Sequence, residues 1–472
     1  MSTFLHIVGI PKNVKKEEID RILNESQIPF ISNKAIVLDD NLLDFEIELD
    51  SSTLEDKEKL KEKINSLKLH YHPNQKIYSY YVNPKECSCL ILPKAIPNSE
   101  IKYNIDYDNS INTEYIKEIG SNDLIYTNKE FLEKQRNLFS YFIKKIGSNI
   151  LQGKNIMNLS LPIFIFDTRS LLEMWVWQNG YCSIYLEKAF LEKDPLERIK
   201  YSTIYAMSKM HLCVAQQKPF NPILGETFQC KLNDSLFYLE QTSHHPPRTN
   251  FYVIGKNYKL FGYNEPDAFA GPNSFKIGAK GRTIILFNDD VRIYFDNSPM
   301  ILKGTIFGER AIDFTGNIQV IDESNDLICD ILINPDNRSG FFNKVFQKKN
   351  TFPDYVSGVI TSRKNNAKYN IKNKKYEIID REKEIYSKME GEFSSEINFD
   401  GKNYWKFEEG SFPKFYRQDF TLPSDSCYRE DEYFLINNEE SIAGAYKNVM
   451  EERQRRDRRL RNEYEKKNIN TK

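Results

Sequence analysis

Glu240-Gln241-Thr242-Ser243-His244-His245-Pro246-Pro247 says more about the 472-residue chain than any other stretch. Two of the chain's six histidines stand side by side, followed by two prolines whose φ is fixed and whose nitrogens have no proton to donate. Pro246 also biases His245 toward extended backbone. Neighbouring side chains on a regular strand face opposite ways, so the two imidazoles serve one ligand only if the chain bends there. A proline pair favours such a bend, and a pair of ring donors suits a phosphate. A lone His-His pair is more often structural or superficial, so the surrounding sequence has to carry the reading.

Upstream lies Lys218-Pro219-Phe220-Asn221-Pro222-Ile223-Leu224-Gly225-Glu226-Thr227-Phe228. Lys218 and Asn221 each precede a proline, as His245 does, which holds all three in β or polyproline geometry. A stiffened backbone loses less entropy when a ligand arrives. Near the C-terminus, Asn438 is placed to cap a helix with Glu439 and Glu440 in its first turn. From Ser441 to about Lys467 there is no proline, and Lys447, Glu451 and Arg455 recur every fourth residue along one face. Arg453, Arg456, Arg458, Arg459 and Arg461 are expected on the solvated, salt-bridged surface of the same helix.

Together these segments resemble the oxysterol-binding-protein-related family of lipid-transfer proteins. Glu240–Pro247 is similar to its EQxSHHPP fingerprint, Lys218–Phe228 to its KPxNPxLGE segment, and Met450–Arg455 to its LEExQR core. The resemblance covers approximately residues 130–472, about seven tenths of the chain. It implies an α+β chain whose main domain is a large antiparallel β-barrel with an N-terminal lid and C-terminal helices. It implies that His244, His245 and Arg455 bind the 4-phosphate of phosphatidylinositol 4-phosphate, while Lys218, Asn221, Lys447 and Glu451 hold the inositol ring and diester phosphate. Charge-assisted hydrogen bonds of this kind contribute roughly 1.5–3 kcal/mol each. Glu451 accepts from inositol hydroxyls and orients Lys447 and Arg455.

The lid is expected over about residues 130–165, with an amphipathic stripe at Leu138, Phe139, Phe142, Ile143 and Ile146. Leu161-Pro162-Ile163-Phe164-Ile165, followed by Arg169-Ser170-Leu171-Leu172-Glu173-Met174, is similar to the subgroup reading LPTFIL and RRSLLEM, and would form the tunnel entrance. That likeness implies phosphatidylserine as the exchanged lipid, with sterol as the alternative. Lipid exchange needs no chemistry and no cofactor. A His-dependent phosphatase would have to recruit Glu240 or Ser243, and no GxSxG, HExxH or P-loop supports one.

Composition fits this reading. Sixty-six basic and 67 acidic residues leave a formal charge of −1, which disfavours bulk attraction to nucleic acid or to acidic lipids, so any membrane attraction is expected to be local. No apolar run approaches the roughly 18 residues a spanning helix needs, the first residues lack a basic stretch followed by an apolar one, and seven scattered cysteines do not make a disulfide framework. The expectation is a cytoplasmic protein that visits membranes, or membrane contact sites, peripherally. From Ala215 to about Ile371, alternating runs separated by Asn233-Asp234-Ser235, Gly255-Lys256-Asn257, Gly271-Pro272-Asn273 and Asn288-Asp289-Asp290 read as an antiparallel meander. Residues 362–400, rich in Lys, Asn and Glu, read as late strands and polar loops.

Residues 1–85 read as a separate unit: strands at Phe4–Ile10, Ala35–Leu38, Leu43–Leu49 and Lys76–Val82, with helices at Lys15–Asn24 and Leu54–Leu67. That order resembles the ferredoxin-like fold of RNA-recognition motifs. The aromatic positions for base stacking fall on His6, Asp44 and Glu46, so a protein partner is expected rather than nucleic acid. Residues 86–129 read as a linker, and 130–472 as the lipid-binding domain, ending in a basic helix over about 439–467. His70, His72, Cys87 and Cys89 have one-residue gaps unlike zinc-site spacings, and no metal site is expected.

Overall fold

The computed structural model describes residues 3–11, 17, 20–21, 24, 30–37, 42–49, 78–82, 100–101, 115–116, 124–127, 132–133, 163, 166–211, 218–271, 273–314, 316–334, 352–380, 384–407, 415–417, 422, 424–436 and 440–469. Alternation of buried and solvent-facing side chains builds its largest unit. Arg282–Phe287 buries every second residue, as does most of Ser235–His244, the period of a half-buried strand. All four turn signals fall where one strand reverses into its antiparallel neighbour.

One ladder runs through Thr227–Leu232, Ser235–His244, Pro247–Ile254, Tyr258–Ala270, Arg282–Phe287, Arg292–Asp296 and Asn317–Asp322. It continues through Leu327–Ile333, Tyr355–Ser362, Ser387–Glu392, Glu396–Phe399 and Lys402–Lys406. Phe415–Arg417 then pairs with the first strand, placing Arg417 opposite Cys230. A segment from late in the chain thus returns beside the first strand of this long antiparallel sheet, the curled arrangement of a barrel around an interior.

Tyr258–Ala270 is a fork: its first half pairs with Arg282–Phe287 and its second half with Ser274–Lys280. At the fork Gly262 has φ +155°, and a Cβ there would stand 2.0 Å from the Arg282 carbonyl oxygen, so no other residue fits without moving backbone. The side branch continues through Met300–Lys303 and Ala311–Phe314 to Leu124–Tyr126. Within 86–129, read from sequence as a linker, Glu100–Ile101 lies beside Phe415–Tyr416 and Tyr115–Ile116 beside Leu124–Tyr126. Strands of two or three residues are too short to show a period in sequence.

Among the described residues, α1 (Leu171–Gln178), α2 (Cys182–Leu191) and α3 (Pro195–Ser208) come before the main ladder. Ser170 caps α1 by accepting from Leu172 N at 3.1 Å, and Asp194 caps α3 by accepting from Leu196 N at 2.9 Å, with Pro195 at the first helical position. Leu172, Val176, Trp177, Ile199, Ile204 and Met207 are fully or almost fully buried in one core with the inward residues of the strands. After the ladder the described residues include α4 (Glu430–Ile436) and the 30-residue α5 (Glu440–Ile469). A hairpin, Ala367–Asn370 with Lys375–Ile378, packs Ala367, Tyr376 and Ile378 on Tyr294, Ile321 and Ile328 of the barrel wall.

The N-terminal strands are Thr3–Pro11, Phe30–Val37, Leu42–Leu49 and Tyr78–Val82, all antiparallel. In the sheet Leu42–Leu49 and Thr3–Pro11 are central, flanked by Phe30–Val37 and Tyr78–Val82. Residues 17, 20, 21 and 24 are helical; the second expected helix, 54–67, lies outside the described residues.

Candidate functional site

His244 ends its strand opposite Pro247, and His245 and Pro246 form the two-residue turn between them; the His245–Pro246 peptide is cis. The register slips between Gln241 and Ser243, so the strand bulges just before the pair. The expected bend is therefore present, and the two rings lie together, centroids 4.3 Å apart at 49°. His245 is exposed, whereas His244 is half-buried with its Nδ1 buried and unpaired among the described residues. Burial, with the positive charges of Arg458 and Arg455, pushes the His244 imidazole down to about 4, and Glu451 opposes them. His244 is thus neutral at pH 7, with two arginines and a carboxylate from the other end of the chain beside it.

The Lys218–Phe220 segment runs parallel to Phe166–Ser170, Lys218 opposite Phe166. Phe166 and Phe220 stack with centroids 4.9 Å apart. Gly225, at φ +85°, donates its N–H to Gln241 O at 2.8 Å, and Gln241 N donates to Glu226 O at 2.9 Å. These two bonds fasten the loop to the strand that carries His244. Of the Lys218 side chain nothing is described; the Asn221 carbonyl accepts from Arg429 Nη1 at 2.9 Å.

Arg429 is the residue the sequence reading missed. Only 5 % exposed, it also reaches Glu226 at 3.0 Å, Asp431 at 2.7 Å and Glu432 at 3.5 Å, and lies 5.0 Å above the Phe220 ring. Burial raises the carboxyls of Glu226 and Glu432, and Arg429 lowers them in part. Three carboxylates on one guanidinium pin the 218–226 loop to the start of α4. The only sequence signal was the run Arg429-Glu430-Asp431-Glu432, a single cation followed by three acids.

On α5, Tyr446 stacks on Phe434 of α4 at 5.1 Å, and Ala443 joins Ile163, Phe166 and Phe220 in one apolar cluster. Lys447 is buried, pairs with Glu451 Oε1 and sits 5.4 Å over the Phe166 ring. Glu451 Oε2 in turn faces Arg455 Nη2 at 3.5 Å. The 447–451–455 row therefore exists as read from sequence. Arg458, expected on the solvated surface, instead lies half-buried where its charge acts on His244. It stands one helical turn beyond Arg455 on the same face. Of the expected tunnel entrance, Ile163 is buried against α5, with Cγ2 3.7 Å from where a Cβ on Gly444 would be; Leu161, Pro162, Phe164 and Ile165 lie outside the described residues, as does Asn438.

Three segments, 218–226, 240–247 and α5, thus meet at one place. The place presents the Lys447, Arg455 and Arg458 cations, two imidazoles and one carboxylate, a set suited to an anion that also carries hydroxyls. Among the described residues no group of three or more His, Cys, Asp or Glu is arranged for a metal ion, and no helix is long and apolar enough to cross a membrane. His70, His72, Cys87 and Cys89 lie outside the described residues.

The sequence model of the oxysterol-binding protein family matches residues 144–472. Oxysterol-binding protein 9 of Dictyostelium discoideum is 34 % identical over 332 residues, covering 70 % of this chain and 76 % of that one. Oxysterol-binding protein-related protein 3B of Arabidopsis thaliana is 26 % identical over 339 residues, covering 68 % and 69 %. Among solved structures, the Osh1 ORD domain in complex with cholesterol superposes with a TM-score of 0.54 at 20 % identity, covering 68 % of this chain and 80 % of that one. The Osh3 ORD in complex with PI(4)P from Saccharomyces cerevisiae gives 0.52 at 18 % identity, covering 68 % and 84 %.

Proposed function

The chain belongs to the oxysterol-binding protein family, whose members bind lipids rather than catalyse reactions, and we propose that it holds phosphatidylinositol 4-phosphate by its head group and exchanges it for a second lipid between membranes. The observation that carries this reading is the convergence of His244 with Arg455, Arg458 and Glu451, more than 200 residues away in the chain. In the proposed complex His244, His245 and Arg455 take the 4-phosphate. Lys218, Asn221, Lys447 and Glu451 take the inositol ring and diester phosphate, and Arg458 adds a cation from the next turn. The fit is chemical: a phosphomonoester offers acceptors to arginine's fork, lysine supplies a compact charge, and Glu451 accepts from hydroxyls.

The proposed lid includes residues 161–165, and Ile163 against α5 would couple its closure to the head-group face. Phosphatidylserine is the proposed second lipid, on the likeness of 161–174 to the LPTFIL and RRSLLEM subgroup. Sterol is the second reading, favoured by the sterols in the related Osh1 domain. Residues 1–85 are proposed as a ferredoxin-like module for a protein partner: the sheet order is that of a β-α-β-β-α-β chain, and His6 faces Glu46 in register where base-stacking aromatics would stand. The chain would act from the cytoplasm, visiting membranes peripherally.

The test is to identify by mass spectrometry the lipids the purified protein extracts, and to measure exchange between liposomes for wild type and for His244→Ala with His245→Ala. The wild type should extract the phosphoinositide and the double variant should not. Normal extraction by the double variant would remove the clamp.

A further inference from the structure

The hairpin outside the barrel wall matches none of the family's motifs. Residues 363–375, Arg-Lys-Asn-Asn-Ala-Lys-Tyr-Asn-Ile-Lys-Asn-Lys-Lys, hold six cations and no acid in a chain whose net charge is −1. Two are occupied: Arg363 lies 3.6 Å from Asp326, and Lys375 Nζ donates to Asn317 Oδ1 at 2.8 Å and to Asn317 O at 2.6 Å. Lys364, Lys368, Lys372 and Lys374 are exposed, and no ion pair holds them among the described residues. The nearest acid of the hairpin, Glu377, accepts from Asn370 Nδ2 at 2.6 Å.

At the tip Ile371 is 82 % exposed, and Tyr369 beside it is 45 % exposed. The tip is nonetheless rigidly built. Asn370 Oδ1 accepts from Lys372 N at 2.9 Å, Asn373 Oδ1 accepts from Lys375 N at 3.0 Å, and Lys374 takes φ +56°. A fixed turn that displays an isoleucine to water among lysines gains nothing from folding by that display.

Where the tip lies follows from the ladder. Chain direction alternates strand by strand from Ser235–His244 round to Asn317–Asp322, so Asn317 begins its strand at the end of the barrel where His244 finishes. Lys375 is anchored to Asn317, which puts Ile371 and its lysines at the end that carries the His244–Pro247 turn.

We propose that this hairpin tip is an electrostatic docking point for an anionic lipid surface, with Ile371 entering the interface and Lys368, Lys372 and Lys374 facing lipid phosphates. Apolar and basic residues on one exposed element form the combination that binds at a charged interface, and screening by salt weakens it. The docking is separate from the head-group clamp, because it needs only surface charge and no phosphomonoester.

The experiment is sedimentation of the full chain with vesicles of phosphatidylcholine alone or with added phosphatidylglycerol, which carries no phosphomonoester and so leaves the clamp out. Wild type should bind the anionic vesicles, weakly bind the neutral ones, and lose binding as salt rises. Lys372→Ala with Lys374→Ala should weaken anionic binding roughly thirtyfold, at about fivefold per lysine. Ile371→Ser should weaken it about tenfold. All three side chains are exposed, so the melting temperature should not move, and it is measured on each variant. Unchanged vesicle binding by both variants overturns the proposal. So does equal wild-type binding to neutral vesicles, or a variant that loses polyglutamate binding while keeping vesicle binding, which would make the tip a dock for acidic protein.

Discussion

Replacing His244 with glutamine tests the site through its proton. In the protein alone, burial and the charges of Arg458 and Arg455 push the imidazole down from 6.5 to about 4. A phosphomonoester dianion set between the same groups reverses the local field and favours the imidazolium. A histidine with a higher pKa in the complex than in the free protein strengthens binding fully below the free value. That gain is lost as pH rises through the interval between the two values and is absent above the bound one.

If the phosphate restores only the ordinary 6.5, the interval opens at about 4 and spans about 2.5 pH units. At tenfold per unit that is a factor of roughly 300 in affinity. Between about pH 5 and about pH 8 only about 1.5 units of that interval are crossed, roughly thirtyfold, and because His244 is partly open to solvent screening reduces the expected fall to roughly tenfold. The assay is binding to vesicles containing phosphatidylinositol 4-phosphate from about pH 5 to about pH 8, reported as the ratio of wild-type to His244→Gln affinity. The ligand's own second proton, lost near pH 6, affects both proteins and cancels in that ratio. The ratio should fall with rising pH and then level. A ratio that stays constant across the range would refute a protonated His244 on the phosphate.

Removing Arg429 as Arg429→Met leaves Glu226, Asp431 and Glu432 buried without their cation, and unfolding by urea should show a loss of about 3–5 kcal/mol. Because burial raises the Glu226 and Glu432 carboxyls, the folded state holds their protons more tightly than the unfolded chain. Stability should therefore fall as pH rises above the ordinary glutamate value, and Glu432→Gln should flatten that slope in pH-dependent melts. Gly262→Ala forces a Cβ to within 2.0 Å of the Arg282 carbonyl oxygen and should lower the melting temperature sharply or prevent soluble expression. Gly444→Ala should instead raise stability by up to about 1 kcal/mol, since its Cβ would make ordinary contact with Ile163; Gly444→Phe should displace Ile163 and shorten lipid retention.

The site was legible where its chemistry is contiguous. His244-His245-Pro246-Pro247 and Lys218 to Glu226 announce themselves because each packs constrained backbone and donors into a few residues. The 447–451–455 row was legible because helical periodicity needs only counting. Which of the remaining α5 arginines turns inward is a packing decision: Arg458 differs from Arg459 only by rotation about the helix, and His244, the ring its charge reaches, is more than 200 residues away. Arg429 was hidden for a related reason, since its carboxylates come both from its own neighbours and from Glu226 in a distant loop.

The barrel was visible in turn signals and alternation, but its fork was not. A glycine such as Gly262 reads as a weak point in a strand until the crossing carbonyl of Arg282 is placed against it. Helix α1 escaped because Leu172 through Trp177 are all buried, leaving no polar face to reveal a period. The 367–378 hairpin read only as late strands and polar loops because its apolar packing on the wall is limited to Ala367, Tyr376 and Ile378.

Whether His244 and Arg458 grip the same phosphate is decided by a double-mutant cycle on phosphatidylinositol 4-phosphate binding, using His244→Ala, Arg458→Ala and the pair. Two groups on one phosphate should be non-additive, with a coupling of about 1 kcal/mol or more. Losses that add to within about 0.5 kcal/mol would mean that the turn and the helix act on separate targets.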